Sequence, residues 1–138
     1  MPRKRNQGSK WITKTKRWAI YFRDNCECVY CGRSLNDGAI LTLDHIVPCE
    51  ALPKPNNKHT NLVTACLSCN SSKGDKDLNE YLSYVKALGA TEEAVAGMML
   101  KINRARAGYD TNTNKRKNNT LYTNGYMKKA KLFISNNK

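Results

Sequence analysis

Acidic side chains are scarce in this chain: 11 Asp and Glu stand against 24 Lys and Arg in 138 residues. Histidine occurs twice, so any imidazole chemistry falls to His45 or His59. Apolar residues make up 40%, somewhat below the usual globular share. A large core is therefore excluded, and a chain this short calls for a covalent or metal staple. No apolar run is long enough to span a bilayer. The start, Met1-Pro2-Arg3-Lys4-Arg5, has no apolar stretch behind it and does not read as a secretory leader. The expectation is a cytoplasmic protein with no membrane partner. In that reducing setting, close cysteine pairs serve as metal ligands rather than disulfides.

What charge there is lies unevenly. Residues 1–23 hold eight basic side chains and no acid, and residues 101–138 hold ten against one acid. The centre, 24–100, is mildly acidic with six against ten. Two basic arms suit a polyanion, because each neutralised phosphate releases condensed counterions. An acidic centre is odd for a pure DNA-binding module, and fits carboxylates that hold a cation.

Residues 1–12 read as a disordered basic arm. Residues 13–25 fit a short helix with Trp18, Ile20, Tyr21 and Phe22 as apolar contacts, ended by Asp24-Asn25. Cys26 to Gly32 reads as a knuckle-like turn. An apolar, β-prone run at 40–43 leads into Asp44-His45. A loop with Pro53 and Pro55 follows, then a second short strand at 61–65, and Cys66-Leu67-Ser68-Cys69-Asn70 opens a helix. Asp77 is placed to cap a helix with Glu80 as its capping-box partner, and Gly89 to end it. Thr91-Glu92-Glu93 starts another, with Val95, Met98, Met99 and Ile102 as its apolar stripe and Gly108 as its stop. The Met pair reads as core packing. Residues 111–120 look like a linker, and a basic helix is expected around Tyr126 to Ile134.

Cys28-x-x-Cys31 and Cys66-x-x-Cys69 share one spacing, with 34 residues between the pairs. A two-residue gap lets both thiolates of a knuckle meet one tetrahedral ion. Two such pairs make a closed four-sulfur shell, which fits structural zinc with no open position for chemistry. Cys26 and Cys49 are left as free thiols.

His45 sits in Leu43-Asp44-His45-Ile46-Val47-Pro48. Taken alone, the Asp-His pair fits a solvent-facing turn better than a site; its place between two knuckles marks it as a site. Cys-x-x-Cys, Leu-Asp-His-Ile-x-Pro, Asn-Leu-Val, Cys-x-x-Cys-Asn and Lys-Gly-Asp in this order resemble the zinc-stapled HNH endonucleases of bacteria and phages, over roughly residues 15–80. That resemblance implies an α+β fold: a small ββα-metal core stapled by a four-cysteine zinc site and flanked by helices. It divides the chain into the arm 1–12, a nuclease domain 13–80, a helical extension 81–110 and a basic tail 111–138. It further implies that Asp44 and Asn70 bind a catalytic divalent cation, that His45 is the general base, and that Asn61 orients the loop carrying His45. The commonest family pattern has histidine where Asn70 stands. Asparagine makes the donor set all oxygen, which favours Mg²⁺ or Mn²⁺.

Lys73, Arg23 and Arg33 are the candidate DNA-phosphate contacts, and Trp11 and Trp18 the aromatic ones, with core packing favoured for Trp18. His59 reads as a solvated loop histidine, with phosphate or metal contact as the alternative. The expected function is DNA phosphodiester hydrolysis. A non-catalytic zinc-stapled DNA-binding module and an RNA-directed nuclease are the rivals. A homodimer or a phage packaging partner would also fit, and the arms carry no recognised base-reading motif.

Overall fold

The computed structural model describes residues 11–108 and 119–137. Residues 1–10 of the expected arm and most of the expected linker lie outside the described residues.

The first helix, α1 (Lys14–Arg23), starts where the Thr13 side chain accepts the Lys16 amide and ends at Asp24. Asn25 and Cys26 then take positive φ, and the Cys26 amide turns back onto the Tyr21 carbonyl at 2.7 Å. The chain is thereby aimed into the first knuckle. Two short strands follow, β1 (Leu41–His45) and β2 (Leu62–Cys66), paired antiparallel with Asp44 opposite Val63 and His45 opposite Leu62. The helix α2 (Leu67–Lys73) begins at once, capped by the Cys66 side chain. This is the expected ββα unit.

A two-stranded ribbon is marginal on its own, and here it is covered on both faces. Every residue of β2 is buried, which its apolar sequence permits. On one side Leu43 and Leu62 pack with Ala19, Ile20 and Tyr21 of α1. On the other, Val63 and Ala65 pack with the knuckle residues Val29 and Tyr30 and with the next two helices. These are α3 (Leu78–Ala87), capped by the Asp77–Glu80 box, and α4 (Glu92–Arg106), capped by Thr91. Met98, Ile102 and Ala105 are the buried face of α4, with Met99 packed beside them. The helix α3 continues past residue 80, so the expected boundary there falls inside it.

Two further helices, α5 (Thr120–Thr123) and α6 (Tyr126–Asn136), close the described chain. They do more than extend a basic tail. Leu121 and Ala130 are buried in the α1 core. Phe133 lies against Trp18 at 4.3 Å between ring centroids and against Phe22 at 5.5 Å, so Trp18 is a packing residue. Among the described residues no helix is long and apolar enough to cross a membrane.

Candidate active site and metal cluster

The four paired cysteines converge. The first knuckle is shaped by the Cys28 amide bonding to the Arg33 carbonyl and the Gly32 amide to the Cys28 carbonyl, and Val29 docks it on the Thr64 carbonyl of β2. The second pair sits at the joint of β2 and α2. All four sulfurs lie within 4.8 Å of one another, a set able to hold a metal ion. A tetrahedral ion with metal–sulfur bonds of about 2.3 Å requires sulfur–sulfur edges of about 3.8 Å, and Cys31 Sγ and Cys66 Sγ stand 3.7 Å apart. The thiols already differ in acidity. A hydrogen bond from Cys69, aided by backbone amides, holds the Cys28 thiol down at about 5. The same bond, with burial, pushes the Cys69 thiol up. Cys26 and Cys49 lie outside the cluster.

Asp44 and His45 end β1. Asp44 has no exposed surface. Its carboxylate accepts from the Tyr30 hydroxyl and pairs with Lys73 Nζ at 3.2 Å. Burial and the Asp44 charge both push the Tyr30 hydroxyl well above its ordinary value, so it stays a proton donor. His45 is half-buried. Its Nε2 lies 2.8 Å from Asn57 Oδ1, and the Trp11 ring leans over it at 5.1 Å.

Asn70 on α2 donates from Nδ2 to Thr42 Oγ1 at 2.8 Å and to the Leu43 carbonyl at 3.1 Å. The α2 helix is thus tied to the strand that carries Asp44 and His45, and the amide oxygen of Asn70 is the atom that suits a cation. The Asn61 side chain is bonded to the loop backbone. Its Oδ1 accepts from the Val47 amide, its Nδ2 donates to the Val47 and Asn56 carbonyls, and its backbone carbonyl accepts from Ile46.

Three expected positions differ. Lys73, placed by sequence at a DNA phosphate, is wholly buried, because the last turn of α2 points it at Asp44 and the His45 carbonyl. Arg23 is also interior. Its guanidinium donates to the His59 and Leu62 carbonyls at 2.9 and 2.7 Å and forms a two-bond pair with Asp24. His59 is wholly buried rather than solvated, with Gly108 packed against its ring. Arg33 alone of the three basic candidates is exposed. Sequence reasoning missed Asn57, Tyr30 and Thr42 as partners of the site. Only Tyr30 carried a signal, as the polar aromatic between two metal-ligand cysteines.

A ribbon and helix that set an Asp-His pair beside an amide, stapled by four sulfurs, define a ββα-metal module. Residues 28–76 match the family model described as HNH endonuclease. Over 50 residues the chain is 46% identical to the CRISPR-associated endonuclease Cas9 of Actinomyces naeslundii, covering 36% of this chain and 4% of that protein. Over 53 residues it is 43% identical to the Cas9 of Corynebacterium diphtheriae, covering 38% and 5%. The chain therefore matches only a small part of the length of these relatives. Among solved structures, the Type II-C Cas9 enzyme from Actinomyces naeslundii covers 73% of this chain and 12% of its own, at 27% identity and a TM-score of 0.42.

Proposed function

We propose that this protein is a metal-dependent endonuclease that hydrolyses DNA phosphodiester bonds. The observation that carries the reading is that Asn70 of α2 is hydrogen-bonded to the strand that carries Asp44 and His45. His45 takes a proton from the attacking water, the task suited to a neutral imidazole at physiological pH. Asp44 and Asn70 offer oxygens of the kind that hold Mg²⁺ or Mn²⁺. The Asp44 carboxylate already meets a positive charge, the Lys73 ammonium at 3.2 Å, and a divalent ion would take the place of that ammonium. A divalent ion there supplies Lewis acidity to the phosphoryl and leaving oxygens. Asn61 fixes the path of the loop between β1 and β2. The four cysteines hold structural zinc, and exposed basic side chains such as Arg33, Lys14 and Lys128 meet the DNA backbone.

A second reading, a zinc-stapled DNA-binding module without catalysis, is favoured by one observation. Asp44 is wholly enclosed and neutralised by Lys73. Incubation of supercoiled plasmid with Mg²⁺ or Mn²⁺, wild type against His45→Ala, separates the two. Relaxed or linear product from wild type alone supports the nuclease and its base. Tight, salt-sensitive binding without cleavage under any divalent ion supports the binding module.

A further inference from the structure

We propose that Asn57 and Trp11 are positioning residues for His45, and that the ββα-metal module borrows part of this support from the segment that precedes it. The inference rests on His45 being the base.

An imidazole acts as a base only at the nitrogen that lacks a proton. The partner of the other nitrogen decides which one that is. Here the partner of Nε2 is the side-chain oxygen of Asn57 at 2.8 Å. An amide oxygen accepts and never donates, so Nε2 carries the proton and Nδ1 is the nitrogen that bears the lone pair. A backbone carbonyl could do the same, but a side-chain amide does so only if its own orientation is fixed.

The backbone that carries this amide is secured from two directions. Lys16 Nζ of α1 donates to the Asn57 backbone carbonyl at 3.1 Å. One residue earlier, the Asn56 carbonyl accepts from Asn61 Nδ2 at 2.9 Å, while the Asn56 side chain accepts the Lys58 amide. Asn61 therefore acts on the base at one remove: it sets residue 56, and residue 57 sets the ring.

The ring's face is held separately. The Trp11 indole is tilted 36° to the imidazole, and the Arg17 guanidinium sits 5.6 Å above the same indole, a cation–π contact that holds the indole in place. An imidazole bounded on one face by an indole and at one edge by an amide has little freedom left in its side-chain torsions. Trp11, Lys16 and Arg17 all precede residue 28, where the family match begins. The N-terminal helix and its flank are thus part of this site.

The test is direct because the chain has two histidines. Full-length protein labelled with ¹⁵N-histidine, at a pH where the imidazole is neutral, reports each ring's tautomer through long-range ¹H–¹⁵N correlations. The His45→Ala spectrum identifies the signals. Wild-type His45 is expected as the Nε2–H form. In Asn57→Ala the two nitrogens move towards averaged shifts, and kcat falls by roughly tenfold to a hundredfold with little change in KM. Asn57→Asp keeps an acceptor oxygen and retains the Nε2–H form. Trp11→Ala lowers kcat with the tautomer unchanged, and Trp11→Phe recovers most of the loss. An Nδ1–H ring in wild type, or an unaltered tautomer in a folded Asn57→Ala, overturns the role of Asn57. Full activity in Trp11→Ala overturns that of Trp11. Absence of cleavage by wild type overturns the nuclease reading instead, and the tautomer spectra, which need no DNA, tell the two failures apart.

Discussion

The Lys73 ammonium lies 3.2 Å from the Asp44 carboxylate, and neither side chain has any exposed surface. Two opposite charges are enclosed where a divalent cation is proposed to act. A buried pair of this kind contributes little over an apolar substitute, yet breaking it strands the remaining charge.

Lys73→Met is therefore expected to lower the unfolding free energy by about 3–5 kcal/mol. The double change Asp44→Asn with Lys73→Met should cost clearly less than the two single losses added together. Manganese should raise the stability of Lys73→Met more than that of wild type, because the ion fills the place the ammonium left. Urea unfolding with and without Mn²⁺ measures all three, and strictly additive losses would refute the coupling.

Arg23 and Arg33 should separate stability from DNA affinity. Arg23 is buried and bonded to two carbonyls and Asp24. Arg23→Lys is expected to destabilise the fold by about 1–3 kcal/mol and leave the salt slope of DNA binding unchanged. Arg33→Ala should change stability by less than about 0.5 kcal/mol and reduce that slope by about one. Melting curves and fluorescence anisotropy at several salt concentrations decide it.

Zinc analysis should find one ion per folded chain, held by Cys28, Cys31, Cys66 and Cys69. Cys69→Ser should lose it. Chelation should remove the circular-dichroism signal of the central region, because a small metal-stapled domain draws much of its folding free energy from the ion. Acidification should do the same, as protons compete for the thiolates. A chelated protein with an unchanged spectrum would show that the sheet and helices hold without the cluster.

Gly108→Ala probes the enclosure of His59. A methyl group at that position would lie 2.8 Å from His59 Cε1 and 2.9 Å from Thr120 Oγ1. Displacing either side chain is expected to cost about 1–3 kcal/mol, visible as a lowered melting temperature. A wild-type melting temperature would mean that the junction of α4, α5 and the His59 turn yields freely.

Local rules made much of this architecture legible. The capping box of Asp77 and Glu80, the apolar stripe of α4, the two short strands and the paired cysteine spacings all follow from neighbours within a few residues. The Asp-His motif is likewise visible as an acid and an imidazole breaking an apolar run. What stayed hidden depends on distant partners. Lysine and arginine are rarely buried unless paired, so Lys73 and Arg23 read as surface cations until Asp44 and the carbonyls of residues 59 and 62 are beside them. Nothing local ties Asn57 to a ring 12 positions earlier. His59 looks solvated for the same reason: the glycine packed against its ring comes from residue 108.

The docking of α6 on α1 gives the last segment of the chain an unexpected reach. Phe133 is lodged against Trp18 and Phe22, and the same α1 delivers Lys16 to the Asn57 carbonyl and Arg17 to the Trp11 indole. The C-terminal helix is in effect a brace for the His45 ring, set three contacts away from it. Shortening the chain at that end would be felt first as a slack imidazole, and only secondarily as a weaker grip on phosphate.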